Sequence, residues 1–258
     1  MMKRIRKSKE QSHQKMRLNK FIAQSGYCSR RAADVLIEAG KVRVNDVTIK
    51  EMGFSVSAKD RVYINNQLVK PSELTYIRYY KPAGYITTMD DDKGRKTIYD
   101  ILPESVKNLK PVGRLDKDST GLLIMTNDGD LINELIHPSI KIPKVYRVCV
   151  QGRLNQGHLD QMAKGIEIEP GKMAYADSII IEFDGKNTVV ELILYQGLNR
   201  QIRKMLDFLG HPVKSLKRVS HGPIDILGLK KGQFKYLKPK QISDLKNYIN
   251  KIKKSQPI

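Results

Sequence analysis

The stretch that most constrains the fold is Gly113-Arg114-Leu115-Asp116-Lys117-Asp118-Ser119-Thr120-Gly121-Leu122-Leu123-Ile124-Met125-Thr126-Asn127-Asp128-Gly129. Pro111 and Val112 lead into a turn-forming glycine, and the apolar run Leu122 to Met125 reads as a buried strand. Asn127-Asp128-Gly129 closes it with turn chemistry, because Asn and Gly tolerate positive φ. Arg114 and Asp116 are therefore placed on a short, tightly held loop beside a core strand. A rigid platform of this kind suits a catalytic carboxylate. Taken singly, Asp116 or Asp118 reads as a turn residue capping its own backbone.

The charge balance narrows the partner. With 258 residues, 40% of them hydrophobic, the chain allows one large or two ordinary domains with a real core. The formal net charge of +20 points to a polyanion, nucleic acid first. Solubility alone could be met by either sign. Cys28 and Cys149 form no CxxC, so neither a disulfide framework nor a zinc site is indicated, as expected in a reducing cytoplasm. No apolar run approaches the roughly 18 residues of a membrane span. The charged N-terminus lacks the apolar segment of a signal peptide.

Residues 1–16 are basic and polar, and we expect a disordered arm, either a phosphate-contacting tail or a dispensable leader. A first domain is expected over 17–70. Leu18, Phe21 and Ile22 recur at helical spacing up to Gly26. Ser29 caps a second helix, Arg30 to Ala39, with Ala32, Ala33, Val35, Leu36 and Ile37 as its apolar face and Gly40 at its end. Hairpins follow at 42–49, turning on Asn45-Asp46, and at 61–69, turning on Asn65-Asn66. Residues 1–70 carry 16 Lys+Arg against 6 Asp+Glu, half of the whole excess. Lys20, Arg30, Arg31, Lys41 and Arg43 cluster around the two helices and the first hairpin as candidate nucleic-acid contacts.

A linker is expected at 71–75, a second domain at 76–240 and a basic C-terminal tail at 241–258. From Lys230 onward there are nine Lys and one acid, Asp244. Residues 75–80 are β-rich and run into Lys81-Pro82-Ala83-Gly84; residues 89–96 are a polar loop. A short helix over 131–136 precedes the alternating segment Lys144 to Val150, which carries Tyr146. A strand tyrosine is usually a half-buried packing residue. A helix at 155–164 and strands near 166–168, 178–183 and 189–195 lead to Gly197-Leu198-Asn199-Arg200-Gln201-Ile202-Arg203-Lys204-Met205. There Ile202, Met205, Leu206 and Leu209 form an inward stripe, and Arg200, Arg203 and Lys204 lie off it.

The Gly113–Gly129 string resembles the catalytic motif of the pseudouridine synthases, in particular the ribosomal RNA enzymes of the RsuA/RluB/RluF group. The Lys-Pro-x-Gly opening at Lys81, the Lys-x-Tyr-x-Val context of Tyr146 and Asn-Arg-Gln-Ile-Arg at 199–203 resemble its other motifs. The segments Arg17-Leu-Asn-Lys-Phe-Ile-Ala, Cys28-Ser-Arg-Arg-Ala-Ala-Asp and Gly40-Lys-Val-Arg-Val-Asn resemble the small RNA-binding domain shared by a small-subunit ribosomal protein and tyrosyl-tRNA synthetases. The resemblance implies an α+β protein: a small N-terminal RNA-binding domain, then a synthase domain with a mixed, mostly antiparallel sheet and a central cleft. It implies Asp116 as the essential catalytic residue, Tyr146 as a residue stacking on the target uracil, and Arg203 as the partner of Asp116. Arg114, Asn199, Arg200 and Lys204 are further candidate RNA contacts, and the 89–96 loop is implied to close on RNA. No metal and no cofactor is implied. The expected partner is ribosomal RNA, by the RluF-like match that of the large subunit, or a pre-ribosomal particle, met by a monomer with no membrane association. The alternatives are a small-subunit synthase and a catalytically silent RNA-binding or ribosome-assembly protein.

Overall fold

The computed structural model describes residues 15–89 and 91–255, which fall into two compact units divided between Glu73 and Leu74. Most of the expected basic arm (1–14), Asp90 of the 89–96 loop and the last three residues lie outside the described residues. Met16 departs from the arm reading. With Arg17 it forms β1 (Met16–Arg17), paired with β4 (Ser55–Val56).

In the first unit, α1 (Leu18–Gln24) and α2 (Arg30–Glu38) pack on a four-stranded antiparallel sheet. The sheet order is β3 (Val47–Ile49), β2 (Val42–Val44), β5 (Val62–Ile64), β6 (Gln67–Val69). Ser29 caps α2, its Oγ accepting from the Ala32 N–H at 3.2 Å. Both hairpins turn on asparagines at positive φ: Asn45 at 55°, Asn65 at 47° and Asn66 at 66°. On α2 only Ala33 and Ile37 are buried, and Val35 is 65% exposed. Five consecutive-range positions cannot share one helical stripe, so Ala32 and Val35 turn outward.

The second unit is built on a nine-stranded sheet. In chain order its strands are β7 (Tyr76–Lys81), β8 (Lys110–Pro111), β9 (Thr120–Thr126), β10 (Lys144–Gln151), β13 (Asp177–Phe183), β14 (Asn187–Leu194), β15 (Val213–His221), β16 (Ile224–Asp225) and β17 (Phe234–Tyr236). A separate hairpin, β11 (Ile166–Glu169) and β12 (Lys172–Ala174), stands beside it. Across the sheet the order is β13-β14-β10-β15-β9-β7-β17, with β16 on β15 and β8 on β9. β9 runs parallel to β15, and the other strand pairs of the sheet are antiparallel. The α+β class and the mixed, mostly antiparallel sheet are thus as expected.

The helices α3 (Gly129–Ile136), α4 (Gln156–Lys164), α5 (Gln201–Phe208) and α6 (Pro239–Ser255) cover this sheet. β9 is buried on both faces, which explains its continuous apolar run. Leu122 and Ile124 pack with Leu131 and Leu135 of α3 and Leu245 and Ile249 of α6, whereas Leu123 and Met125 pack with Ile77, Tyr79, Ile98 and Val106. The parallel β9–β15 pairing needs a glycine. Gly121 sits at φ +111°, and a Cβ there would lie 2.2 Å from the Arg218 carbonyl oxygen.

Residues 241–255, read in sequence as a basic tail, are helical. Ile242, Leu245, Tyr248, Ile249 and Ile252 form an apolar stripe on the core, and the lysines occupy the outer faces. Lys246 adds an ion pair to Asp128, which also accepts from the Tyr76 hydroxyl at 2.7 Å and caps α3.

Candidate active site

A cleft of about 830 Å³ opens at the middle of the second unit's sheet, between the Gly113–Ser119 loop, the start of β10, the Tyr195–Arg200 segment with α5, and β15. Of the sequence-selected residues it brings together Arg114, Asp116, Tyr146, Asn199, Arg200 and Arg203. Asp116 is the single carboxylate among the lining residues.

The loop carrying Asp116 hangs from the segment around Lys81. Lys81 is fully buried, and its ammonium donates to the carbonyls of Asp116 at 3.0 Å, Ser119 at 2.9 Å and Pro82 at 3.1 Å. Burial pulls this lysine down to about 8, opposed by the nearby Asp116 and Asp118 carboxylates. Thr87 grips the preceding residue from both sides: its hydroxyl donates to the Leu115 carbonyl at 2.9 Å and accepts from the Leu115 N–H at 3.3 Å. The Gly84 N–H takes the Lys117 carbonyl at 2.8 Å. A loop with its carbonyls held at so many points keeps the carboxylate oriented. Lys81 was quoted in sequence only as part of a motif. It sits at the end of β7, against the carbonyls of the Asp116–Ser119 loop.

The arginine beside Asp116 is Arg200, with Nη1 3.9 Å from Oδ2. Arg203, the partner that the resemblance implies, lines the same cleft but is not within ion-pair distance of Asp116 in this structure. Arg203 directs its guanidinium at the Asp118 carbonyl, 3.5 Å from Nη2, and its buried Nε has no partner. The difference lies in the backbone. Arg200 precedes α5 in a left-handed conformation, φ 49° and ψ 32°, which turns its side chain away from the helical progression on which Arg203 and Lys204 continue. Lys204 does not line the cleft and pairs with Glu169.

Tyr146 stands on β10 between Leu192 of β14 and Arg218 of β15. Its half-buried ring packs on the core while lining the cleft. Lys144, Arg218 and His221 also line the cleft and were not singled out in sequence. Strand periodicity carried the signal: Lys144 is two residues from Tyr146. In the first unit the basic candidates lie on α1, on and after α2, and on β2. Arg30 and Arg31 are exposed on the first turn of α2, and Lys41 follows its far end, roughly 13 Å away at helical rise. Lys20 is half-buried on α1. Arg43 lies 4.5 Å over the Tyr63 ring and 3.6 Å from Asp46.

A sequence profile described as RNA pseudouridylate synthase matches residues 75–208, and one described as S4 domain matches residues 16–62. The ribosomal large subunit pseudouridine synthase B of Bacillus subtilis is 38% identical, covering 89% of this chain and 95% of the relative. The dual-specificity RNA pseudouridine synthase RluF of Escherichia coli is 36% identical over 89% of this chain and 78% of its own. A crystal structure described as a pseudouridylate synthase superposes with a TM-score of 0.63 at 27% identity, over 89% of this chain and 99% of the other.

Proposed function

The chain belongs to the RNA pseudouridylate synthase family, and from that premise we propose that it isomerises a specific uridine of large-subunit ribosomal RNA, with Asp116 as the catalytic carboxylate. The observation that carries this reading is the lone carboxylate among the cleft's lining residues, on a loop whose main-chain carbonyls Lys81 and Thr87 hold, in the cleft that half-buried Tyr146 also lines. Isomerisation breaks the bond between the ribose and uracil N1, turns the base over and joins the ribose to carbon 5. The carbon 5 hydrogen leaves as a proton and N1 gains one, so atoms and electrons balance without an oxidant or an energy source.

Asp116 serves as nucleophile or base toward the nucleoside, Tyr146 stacks on the uracil, and Arg200 offsets the carboxylate's charge. Arg203 acts through the Asp118 carbonyl as a positioning residue for the loop. The uridine reaches the cleft by leaving its stack, at a cost of a few kcal/mol. Arg114 and Asn199, exposed at the cleft, meet the flanking RNA. The S4-like unit supplies further phosphate contacts through Lys20, Arg30, Arg31, Lys41 and Arg43. The enzyme works as a monomer in the cytoplasm. The large-subunit target is supported by the name of the Bacillus subtilis relative. Mapping pseudouridine across both ribosomal RNAs from cells with and without this protein tests the reading. Loss of a single large-subunit site is expected. A small-subunit site, or no change, contradicts the target.

A further inference from the structure

We propose that Lys144, Arg218 and His221 form a phosphate site in the cleft, taking an RNA phosphate adjoining the uridine that Tyr146 receives. The placement follows from strand register. Tyr146 pairs with Arg218 and Lys144 with His221, and a register shift lies between Val145 and Tyr146. The shift inserts one extra residue in β15, so Arg218 and His221, three apart in sequence, share the face that lines the cleft. Lys144 and Tyr146 share the same face of β10, roughly 7 Å apart along the strand, close enough for one nucleotide to span both.

Charge then selects the ligand. Arg218 is 2% exposed, with Nε donating to the Leu122 carbonyl at 2.7 Å and Nη2 without a partner. His221 is 1% exposed, and neither ring nitrogen has a hydrogen-bond partner of good geometry. Lys144 donates to the Ile142 carbonyl at 3.1 Å. The cleft's one carboxylate, Asp116, faces Arg200. Buried cations are ordinarily paired, and among the described residues neither Lys144 nor Arg218 has an ion-pair partner. Burial, then Arg218, hold Lys144 at about 8. Burial, then Arg218 and Lys144, push His221 well below the usual histidine range, with the main chain of Leu135 in α3 opposing. On the α6 side, the Tyr248 ring approaches the neighbouring Gly222. A phosphate, with a full charge and several acceptor oxygens, reverses both shifts and satisfies the open donors. It comes from the 5′ or the 3′ side of the uridine.

The site rests on the uridine reading of the cleft, but inorganic phosphate tests it without that reading. The His221 ring protons are followed by NMR against pH in the full chain, alone and with inorganic phosphate, uridine, uridine 5′-monophosphate or uridine 3′-monophosphate. Phosphate and one nucleotide should raise the His221 midpoint by about one pH unit or more, a tenfold gain in proton affinity. That nucleotide should bind more tightly than uridine, and whether it is the 5′ or the 3′ form assigns the side. Lys144→Gln should remove the advantage of the nucleotide over uridine. His221→Asn, which keeps both cations, should remove the pH dependence of phosphate binding and serves where Lys144→Gln does not fold. A His221 resonance unmoved by phosphate, or nucleotides that bind no better than uridine or not at all, overturns the proposal. If phosphate moves His221 but RNA is not isomerised, the site stands and the catalytic reading fails.

Discussion

Arg200 reaches Asp116 from a left-handed backbone: Nη1 lies 3.9 Å from Oδ2 while the residue sits at φ 49°, ψ 32°. Both side chains are partly exposed, 46% and 37%, so the pair contributes at most about 1 kcal/mol to stability. The backbone costs a similar amount, roughly 1 kcal/mol for a residue with a Cβ. The pair therefore adds little net stability, and the proposed role of Arg200 at the carboxylate is what its substitution tests.

Arg200→Gly and Arg200→Ala should therefore separate strain from chemistry. Glycine takes the left-handed backbone freely, so the glycine variant should be about 1 kcal/mol more stable than the alanine variant in urea unfolding. Both should lose single-turnover rate alike, and Arg203→Ala should lose less. Equal stability would remove the strain, and a larger loss in Arg203→Ala would restore the pairing expected from sequence.

Gly121→Ala should be severely destabilising. The new methyl group would meet the main chain of Arg218 at 2.2 Å, in a backbone conformation alanine rarely adopts. A loss of at least ~3 kcal/mol is expected, because neither strand of the parallel pair can move without opening the sheet. Unfolding midpoints of the two proteins measure it, and a change below about 1 kcal/mol would show that β9 and β15 separate easily.

The buried lysines make stability depend on alkaline pH in an unusual direction. Lys81 and Lys144 hold their protons less tightly in the folded chain, at about 8, than a free lysine does at 10.5. Between those values the unfolded chain binds more protons, so stability rises with pH, by a few kcal/mol at most. Urea unfolding across about pH 8 to 10 should show the rise in wild type and a flatter curve in Lys81→Met. The same slope in Lys81→Met as in wild type would place the effect elsewhere.

Much of the fold was legible because local chemistry and tertiary packing agreed. Ser29 caps where a cap was expected, the asparagine turns take positive φ, and Ile202, Met205 and Leu206 face inward on α5. The failures share one cause: a charged side chain was read by its charge before its neighbours were known. Lysines over 240–254 masked the stripe from Ile242 to Ile252 that makes α6 a core helix. The role of Lys81 lay outside its own motif, because the carbonyls it holds come from a loop some 35 residues later. The choice between Arg200 and Arg203 was hidden in one φ angle, which no periodicity encodes. Arg218 and His221 share a face only through a bulge, so simple alternation would have separated them.

Removing residues 1–73 should weaken RNA binding and lower its salt dependence, since residues 1–70 carry a net charge of +10. The remaining unit has its own cores and should fold alone. Filter binding over a range of salt concentrations measures the slope. An unchanged slope would mean that the S4-like unit is not an RNA-binding element.

The catalytic assignment of Asp116 is tested most directly by tritium release. Joining ribose to carbon 5 expels the hydrogen held there, so ribosomal RNA labelled with tritium at uridine carbon 5 releases label once per isomerisation. Purified wild-type protein in excess over RNA should release one equivalent per target uridine. Asp116→Asn, isosteric but without a nucleophilic or basic carboxylate, should bind the RNA with similar affinity and release none. Tritium release by Asp116→Asn at a rate near wild type would contradict the catalytic role of Asp116.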